Sequence, residues 1–584
     1  MQLSSIDWLI IGLVILTVLL IGLWSSKKSS QNTEEYFLSG RNMPWWLLGI
    51  SMVATTFSAD TPNLVTDIVR QNGVSGNWVW WCFLLTGMLT VFVYARLWRK
   101  SGLNTDLEFY ELRYSGPTAK FLRGFRAFYL GVLFNIFVMS AVMLAAIKIG
   151  EVVLGWSPEM TIILACGTTL IFSLLGGFRG VVLSDAFLFV ISMVGSVVAA
   201  YYALVQPEIG SLSALFTHEA VSDKLSFIPD FSDKSLMIQL FIIPLAVQWW
   251  SSWYPGAEPG GGGYIAQRML AAKDEKHAMG ATFLFNLAHY GLRPWPWMIV
   301  ALCSLIIFPD LESIKDAFPN ISEDKLGNDL GYSAMLTFIP HGLFGLVVAS
   351  LLAAFMSTIS THLNWGSSYI VFDLYKRFIN PEASEKQSVM IGRIGVFLLL
   401  VFSAIIALNL KNALQIFNYI IYFGAGTGLL FILRWFWWRI NAWSEISAMI
   451  FSGIIAWVAN DTEAFDFTGD WKLPFCVVLT TLVWIAVTLL TRPTDSQNLR
   501  EFVDRCNPGG PGWKNFPSEK NTKWSVPEGI LLMIVSCVFV YTFMFATGYF
   551  LYGDWTWFGV MLVICGLCGW LLYKKRENFN ILSQ

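Results

Sequence analysis

About fifteen apolar stretches, each near 20 residues long, occupy most of this chain between residues 6 and 576. A helix needs about 20 apolar residues to cross a bilayer, so each stretch is long enough to be a membrane span. Charged residues make up only 13% of the chain, against roughly 25% in soluble proteins. Because helices satisfy their own backbone hydrogen bonds in hydrocarbon, the pattern predicts an all-α polytopic membrane protein.

Basic residues collect in alternate loops between the predicted spans. About 29 of the 38 Lys and Arg residues fall in these loops, including Arg113, Arg123, Arg126, Arg268 and Arg434. Loops 310–329 and 461–470 are instead acidic. Basic loops face the cytoplasm, so the N-terminus is predicted outside the cell (inner) membrane and the C-terminus inside. Asp7 is the only charge before the first apolar run, which indicates a retained helix and not a cleaved signal.

A cluster of hydroxyl groups lies in one predicted span, within residues 351–368. Hydroxyl and carbonyl oxygens are hard ligands that suit a cation such as Na⁺. Small residues in membrane helices also serve close helix packing, so spacing alone leaves both interpretations open. Helical spacing predicts one face formed by Ala354, Ser357, Thr358 and Thr361, with Ser360 on its flank.

Two series of five spans, 45–205 and 232–439, are predicted to run in opposite directions through the membrane. Each series opens with a helix-breaking cluster, at 58–63 and at 254–263. Interrupted spans at corresponding places of two inverted halves mark the binding site of secondary transporters. The alternatives are a simple proline kink in the first cluster and a plain loop in the second.

The rest of the chain flanks these two series. Residues 1–44 are predicted to form one preceding helix and a cytoplasmic loop, and 441–576 to form about four trailing helices. The polar insert 492–525 is interpreted as a cytoplasmic linker within the trailing part.

Polar side chains inside spans are candidates for solute binding: Asp60, Asn77, His289, Arg293 and Asn418. Arg293 is costly in hydrocarbon, so it either binds a carboxylate-bearing substrate or pairs with an internal acid, Asp60 or Glu258. His289 is either a proton-coupling group or a hydrogen-bonded residue that lines the cavity.

The sequence disfavours an enzyme, because no nucleophile–base pair, metal motif or nucleotide fold is visible. Glycines 260–263 lack the GK[ST] ending of a phosphate-binding loop. The 8 cysteines are scattered without histidine partners, so neither a disulfide framework nor a zinc site is predicted.

Four motifs together resemble the sodium:solute symporter family, between about residue 36 and about residue 440. They are YFLSGRNMPWW (36–46), SLLGGFRGVVLSD (173–185), YIAQRMLAAK (264–273) and AAFMSTIS…VFDLYKRF (353–378). The family includes sodium-coupled sugar, proline and sialic acid symporters. The resemblance implies a LeuT-like 5+5 inverted-repeat core, with one helix before it and further helices after it.

The resemblance also implies two cation sites. The main sodium site would take the carbonyls of Ala54, Phe57 and Ala354 and the hydroxyls of Ser357 and Thr358. Some members have a second sodium site, which here would use Asp185 together with Ser357, Ser360 and Thr361. The alternative for Asp185 is a helix N-cap formed with Ser184.

Aromatic gates are implied at Phe417 on the outer side and Tyr264 on the inner side. Sugar-transporting members carry glutamines where this chain has Thr61 and Ile421, which does not favour a galactose-like pose. The complete predicted substrate-binding set is Asp60, Thr61, Asn77, Trp80, His289, Arg293, Phe417 and Asn418.

The sequence therefore predicts a sodium-coupled secondary active symporter that imports a small organic solute, such as a sugar or sugar acid, by alternating access. Its expected partners are the solute, Na⁺ and membrane lipid, without nucleic acid, and its expected state is a monomer or weak oligomer. The alternatives are a proton-coupled symporter and a transporter-like membrane sensor without net transport.

Overall fold

The structure is a computed structural model, and it describes residues 3–251, 258–319, 321, 323–410, 426–461, 471–518 and 524–579. Within these ranges the regular structure is helical, and the β contact is one isolated bridge between Met43 and Ala272. Ten helices of the described residues are long and apolar enough to cross a membrane. The predicted all-α membrane architecture is confirmed.

The helices follow the predicted spans closely. The first part of the chain forms α1 (Ser5–Ser29), α2 (Trp45–Thr55), α3 (Thr61–Asn72), α4 (Val74–Ser101), α5 (Gly116–Ile149) and α6 (Pro158–Leu204). The middle part forms α7 (Lys234–Ala246), α8 (Gly263–Ala271), α9 (Glu275–Ile307), α10 (Leu343–Ile379) and α11 (Glu385–Asn409). The last part forms α12 (Ala442–Asp461), α13 (Lys472–Leu490), α14 (Ser496–Cys506), α15 (Val526–Tyr552) and α16 (Trp555–Phe579).

The two predicted interruptions are present where the structure describes them. Residues 56–60 separate α2 from α3, and Pro62 in the first turn of α3 fits a helix start, where a missing N–H does no harm. Gly260 (φ +90°) and Gly261 (φ +81°) precede α8 in a conformation that only glycine adopts readily. Residues 254–257 of the second cluster lie outside the described residues.

α6 contains both predicted spans, 157–177 and 185–205, but no loop separates them at 178–184. The helical backbone is interrupted at Gly177 (φ +54°), where a Cβ atom would lie 2.9 Å from Cβ of Ser29 in α1, and residues 178–184 are helical. Asp185 therefore lies inside a helix, and its interpretation as an N-cap is wrong.

α1 is attached to the beginning of α10 through Asp7. The Asp7 carboxylate is buried and accepts hydrogen bonds from the backbone N–H groups of Gly342 and Gly345, each at 2.7 Å. The free N–H groups at a helix start favour a negative charge, so this contact holds α1 against α10.

The described part of the insert 492–525 packs against the rest of the protein, whereas the sequence predicts a linker. It contains α14, whose side chains Leu499, Phe502, Val503 and Cys506 are buried. The indole N–H of Trp513 donates to the carbonyl oxygen of Trp435 at 2.9 Å. Further along, α15 packs against α4 and α9, and the Tyr541 hydroxyl donates to the carbonyl oxygen of Trp81 at 2.8 Å.

Candidate functional site

The end of α2 lies against the hydroxyl-bearing face of α10. The Thr358 hydroxyl donates to the Thr55 carbonyl oxygen at 2.8 Å, and the hydroxyl oxygens of Thr55 and Thr361 are 3.0 Å apart. All three side chains are buried. The helix break after α2 and the predicted hydroxyl cluster therefore meet inside the protein.

The residues of the predicted main sodium site lie on the two segments that this contact joins. Ala54 is in the last turn of α2, and its carbonyl oxygen accepts from the Phe57 N–H at 3.1 Å at the start of the break. Ala354, Ser357 and Thr358 lie on the facing turns of α10 and are buried. Carbonyl and hydroxyl oxygens keep a second lone pair for another partner, so this donor set fits a hard monovalent cation.

Asp185 is fully buried beside this group of oxygens. It accepts hydrogen bonds from the hydroxyls of Ser51 at 2.5 Å and Ser357 at 2.6 Å. The Arg268 guanidinium lies 3.4 Å from the same carboxylate and is itself fully buried. A cationic side chain thus occupies the neighbourhood where the sequence places a second sodium ion.

Arg268 contacts most of the oxygens around Asp185. Its Nε donates to the Ser51 hydroxyl at 2.9 Å, and its Nη2 donates to the hydroxyls of Thr55 at 3.0 Å and Thr361 at 2.8 Å. The Ser360 hydroxyl instead donates along its own helix to the Ser357 carbonyl oxygen at 3.2 Å. The Ser360 proton is therefore donated to its own helix and not to the carboxylate that Ser360 is predicted to assist.

Sequence reasoning missed Arg268, Ser51 and Thr55 as site residues. Arg268 was counted with the basic residues of a loop, but it lies in α8, one turn from Tyr264. Its position inside the apolar run YIAQRMLAA is a signal that could have identified it. Ser51 and Thr55, four residues apart on the turns before the break, share one helix face.

Arg293 lies at the break between α2 and α3. It donates to the Val53 carbonyl oxygen at 3.3 Å and the Thr56 hydroxyl at 3.2 Å, and it stacks over the ring of Trp297 at 5.4 Å. Within the described residues no carboxylate oxygen lies within 4.0 Å of its guanidinium. The interpretation of Arg293 as a fixed ion pair is therefore not supported there, although Asp60 stands at the same break.

Glu258, the other acid considered for Arg293, pairs elsewhere. Its carboxylate lies 2.9 Å from Arg126 and 3.7 Å from Arg434, and Arg434 lies 3.6 Å from Glu445. These four buried groups, Arg126, Glu258, Arg434 and Glu445, are named the four-charge cluster. It contains two positive and two negative side chains and is neutral as a whole.

His289 lies between the break and Arg293. Its Nδ1 is 2.9 Å from the Thr56 hydroxyl, and its Nε2 is 3.1 Å from Nη2 of Arg293. Because a guanidinium can only donate, Nε2 must accept and the ring must be neutral. This geometry favours a hydrogen-bonded cavity residue over a proton-coupling group.

The remaining predicted residues are distributed around this point. The Trp80 indole stacks on Tyr290 at 5.8 Å and donates to the Asn77 side-chain oxygen at 2.8 Å, while the Asn77 amide donates to the Val74 carbonyl oxygen. Asn77 therefore orients Trp80. Thr61 begins α3 beside Asp60.

Of the two predicted gates, Tyr264 is buried in α8 with its ring edge-on to His362 of α10 at 5.4 Å. Phe417 and Asn418 lie outside the described residues.

Known proteins with similar sequences and structures define the class of this protein. A solved structure of a Na⁺-coupled sialic acid symporter, in a substrate-bound outward-open state, superposes with a TM-score of 0.66 at 19% identity and covers 84% of this chain and 99% of its own. This similarity shows the fold, and the molecule is a multi-pass membrane protein with the LeuT-like inverted-repeat architecture.

The family model described as "Sodium:solute symporter family" matches residues 36–452. The chain belongs to the sodium:solute symporter family, whose members are transporters and not enzymes. Among its relatives, the sodium/glucose cotransporter of Vibrio parahaemolyticus is 25% identical over 77% of this chain and 84% of that protein. The sodium/myo-inositol cotransporter of Mus musculus is 26% identical over 85% of this chain and 75% of that protein.

Proposed function

We propose that this protein imports a small organic solute together with sodium by alternating access. The observation that carries the proposal is the contact between the broken end of α2 and the hydroxyl face of α10, closed by the Thr358–Thr55 hydrogen bond. A broken helix offers carbonyl oxygens, and the facing helix offers hydroxyls, and the residues on both sides are buried.

In this proposal the sodium ion is held by oxygens from two helices. The carbonyls of Ala54, Phe57 and Ala354 supply three ligands, and the hydroxyls of Ser357 and Thr358 supply two. None of these five groups carries a charge, so the site is expected to release Na⁺ on the side where sodium is scarce. The Thr358 hydroxyl donates its proton to the Thr55 carbonyl oxygen, so a lone pair of its oxygen is available to the ion.

The solute is proposed to bind at the break beside Arg293, with Asp60 and Trp80 as neighbours. Support comes from the contacts of Arg293, which leave it without a carboxylate within 4.0 Å among the described residues. A buried guanidinium binds a carboxylate through two parallel hydrogen bonds, so the favoured solute is an acid such as a sugar acid. Phe417 and Asn418 stay proposed members of this site.

The proposed arrangement in the cell follows the charge distribution of the loops. Basic loops are expected in the cytoplasm, which places the N-terminus outside and the C-terminus inside a cell membrane. Residues 45–205 and 232–439 are proposed as the two inverted repeats, preceded by 1–44 and followed by 441–576.

The test is solute uptake by the purified protein in proteoliposomes. An inward Na⁺ gradient should accelerate uptake of at least one compound from a panel of sugars, sugar acids, amino acids and carboxylates. A pH gradient without sodium should not. The proposal fails if no compound responds to sodium, or if a proton gradient alone drives uptake.

Thr358 gives the site-specific test. Thr358→Ala should raise the sodium concentration for half-maximal uptake about tenfold, since one lost ligand is worth about 1.4 kcal/mol. Thr358→Ser keeps the hydroxyl and should stay within about twofold of the unmodified protein. Equal sodium dependence in Thr358→Ala and Thr358→Ser would exclude this hydroxyl as a ligand.

A further inference from the structure

Asp185 and Arg268 form a fully buried ion pair next to the proposed sodium site. The guanidinium also donates to the hydroxyls of Ser51, Thr55 and Thr361, at distances between 2.8 and 3.0 Å. One carboxylate and three hydroxyls therefore surround a single positive side chain. We name Asp185, Ser51, Thr55 and Thr361 the Asp185 cage.

The contacts of Arg268 overlap with the ligands expected for a second sodium ion. Arg268 already contacts Asp185 and Thr361, which are two of those ligands. Ser357 donates its hydroxyl proton to the carboxylate, and Ser360 donates to its own helix. A sodium ion at this position would have to share Asp185 and Thr361 with the guanidinium.

The charges of Asp185 and Arg268 also disfavour a second sodium ion at this position. A carboxylate inside a membrane protein requires a cationic partner, and arginine stays protonated throughout the physiological pH range. The Asp185–Arg268 pair is therefore neutral. A sodium ion bound by the same carboxylate would lie close to the guanidinium, which is 3.4 Å from Asp185, and the two positive charges would repel each other.

We propose that Arg268 is the resident cation of the Asp185 cage, so that this protein binds no second sodium ion at Asp185. The proposal deepens the sodium coupling proposed above and rests on it. It leaves the oxygens around Ala54 and Thr358 as the place for sodium.

The position of Arg268 also connects the cage to a separate structural unit. α8 is a short helix that follows the glycine-rich break, and the preceding residue, Gln267, donates to the Asn364 side chain of α10 at 2.9 Å. The cation is thus attached to α8, while the carboxylate belongs to α6. Any movement of α8 away from α6 would remove the positive charge from Asp185, which makes Arg268 a positioning residue for the transport cycle.

The test compares three proteins in detergent at equal concentration: the unmodified chain, Arg268→Ala, and the charge-balanced Arg268→Ala/Asp185→Asn. Equilibrium binding of ²²Na⁺ gives the number of ions per chain. The unmodified chain and the double variant should bind the same number, because neither presents an uncompensated carboxylate. Arg268→Ala should bind one more ion, since its Asp185 lacks a cation.

Chemical rescue gives a second measurement that does not depend on sodium. Methylguanidinium at millimolar concentration should raise the thermal unfolding midpoint of Arg268→Ala by a few degrees, because it replaces the missing group. The double variant should show no such increase, and it also controls for a general effect of the additive.

Two results would overturn the proposal. One is a double variant that binds one sodium ion fewer than the unmodified chain, since Asp185 would then be a sodium ligand. The other is an Arg268→Ala protein that gains no sodium ion and is not stabilised by methylguanidinium. If the unmodified chain binds no sodium at all, the proposed sodium coupling fails, whereas the rescue experiment still tests the cation of the cage.

Discussion

The distances within the four-charge cluster allow us to predict how much the substitution Glu258→Gln lowers the free energy of unfolding. Glu258→Gln removes a buried carboxylate that lies 2.9 Å from Arg126 and 3.7 Å from Arg434. Arg434 keeps Glu445 as a partner at 3.6 Å, but Arg126 loses the acid nearest to it. Breaking a buried ion pair from one side costs about 3–5 kcal/mol. Because one arginine stays paired, we expect a loss of about 3 kcal/mol in the free energy of unfolding.

The double variant Arg126→Gln/Glu258→Gln tests whether charge balance is the cause. Each single variant leaves one unbalanced charge, whereas the double variant leaves Arg434 with Glu445 and is neutral. If the singles each cost about 3 kcal/mol, the double should cost about 3–4 instead of about 6. The coupling energy of the cycle is then about 2–3 kcal/mol.

The assay is reversible unfolding in mixed micelles, followed by far-UV circular dichroism. The control is Glu275→Gln, which removes one partner of the exposed Lys100–Glu275 pair at 3.7 Å. Exposed pairs contribute little, so this variant should lose at most about 1 kcal/mol. The reasoning is refuted if Glu258→Gln loses no more than Glu275→Gln, or if the effects of the two buried substitutions add within about 0.5 kcal/mol.

Two further substitutions probe other parts of the molecule. Arg293→Gln should raise the solute concentration for half-maximal uptake about 10- to 100-fold, since a charge-assisted hydrogen bond is worth about 1.5–3 kcal/mol, and leave sodium dependence at saturating solute unchanged. A carboxylate solute whose uptake is insensitive to this change would contradict its placement. Asp7→Asn should lower the free energy of unfolding by about 2 kcal/mol, because two backbone N–H groups, of Gly342 and Gly345, lose a charged acceptor. Unchanged unfolding would show that this attachment of α1 is not stabilising.

The sequence predicts the hydroxyl face of α10 well, for a physical reason. Residues 343–369 form uninterrupted α-helix, so counting by 3.6 residues places Ser357, Thr358 and Thr361 correctly. The break after α2 is equally predictable, because Pro62, two residues after Asp60 in an apolar run, cannot continue an unstrained membrane helix. A regular helix and a break in a helix each depend on a few neighbouring residues, so both can be predicted from the sequence.

Arg268 shows the opposite case. A basic residue near the end of an apolar run normally lies in a loop. The glycines before Arg268 also predict a loop, so the sequence gives no sign of the separate helix α8. Its partner Asp185 is 83 residues away in the chain. The spacing of residues along the sequence does not show which distant helices pair. The Asp185 cage can therefore be identified only from the arrangement of α2, α6, α8 and α10 in the structure. Arg113, Arg123, Arg126 and Arg434, also counted as loop charges, are likewise buried.

α15 packs against the transporter core, although it lies outside the segment that the family model matches. The family match ends at residue 452, yet Tyr541 of α15 is hydrogen-bonded to the backbone of α4, and the same helix packs on α9. If α4 and α9 move, α15 must either move with them or lose the hydrogen bond between Tyr541 and α4. Truncated versions ending near residue 452 would thus expose an apolar flank, and fluorescent reporters are better attached after α16 than inserted between α13 and α15.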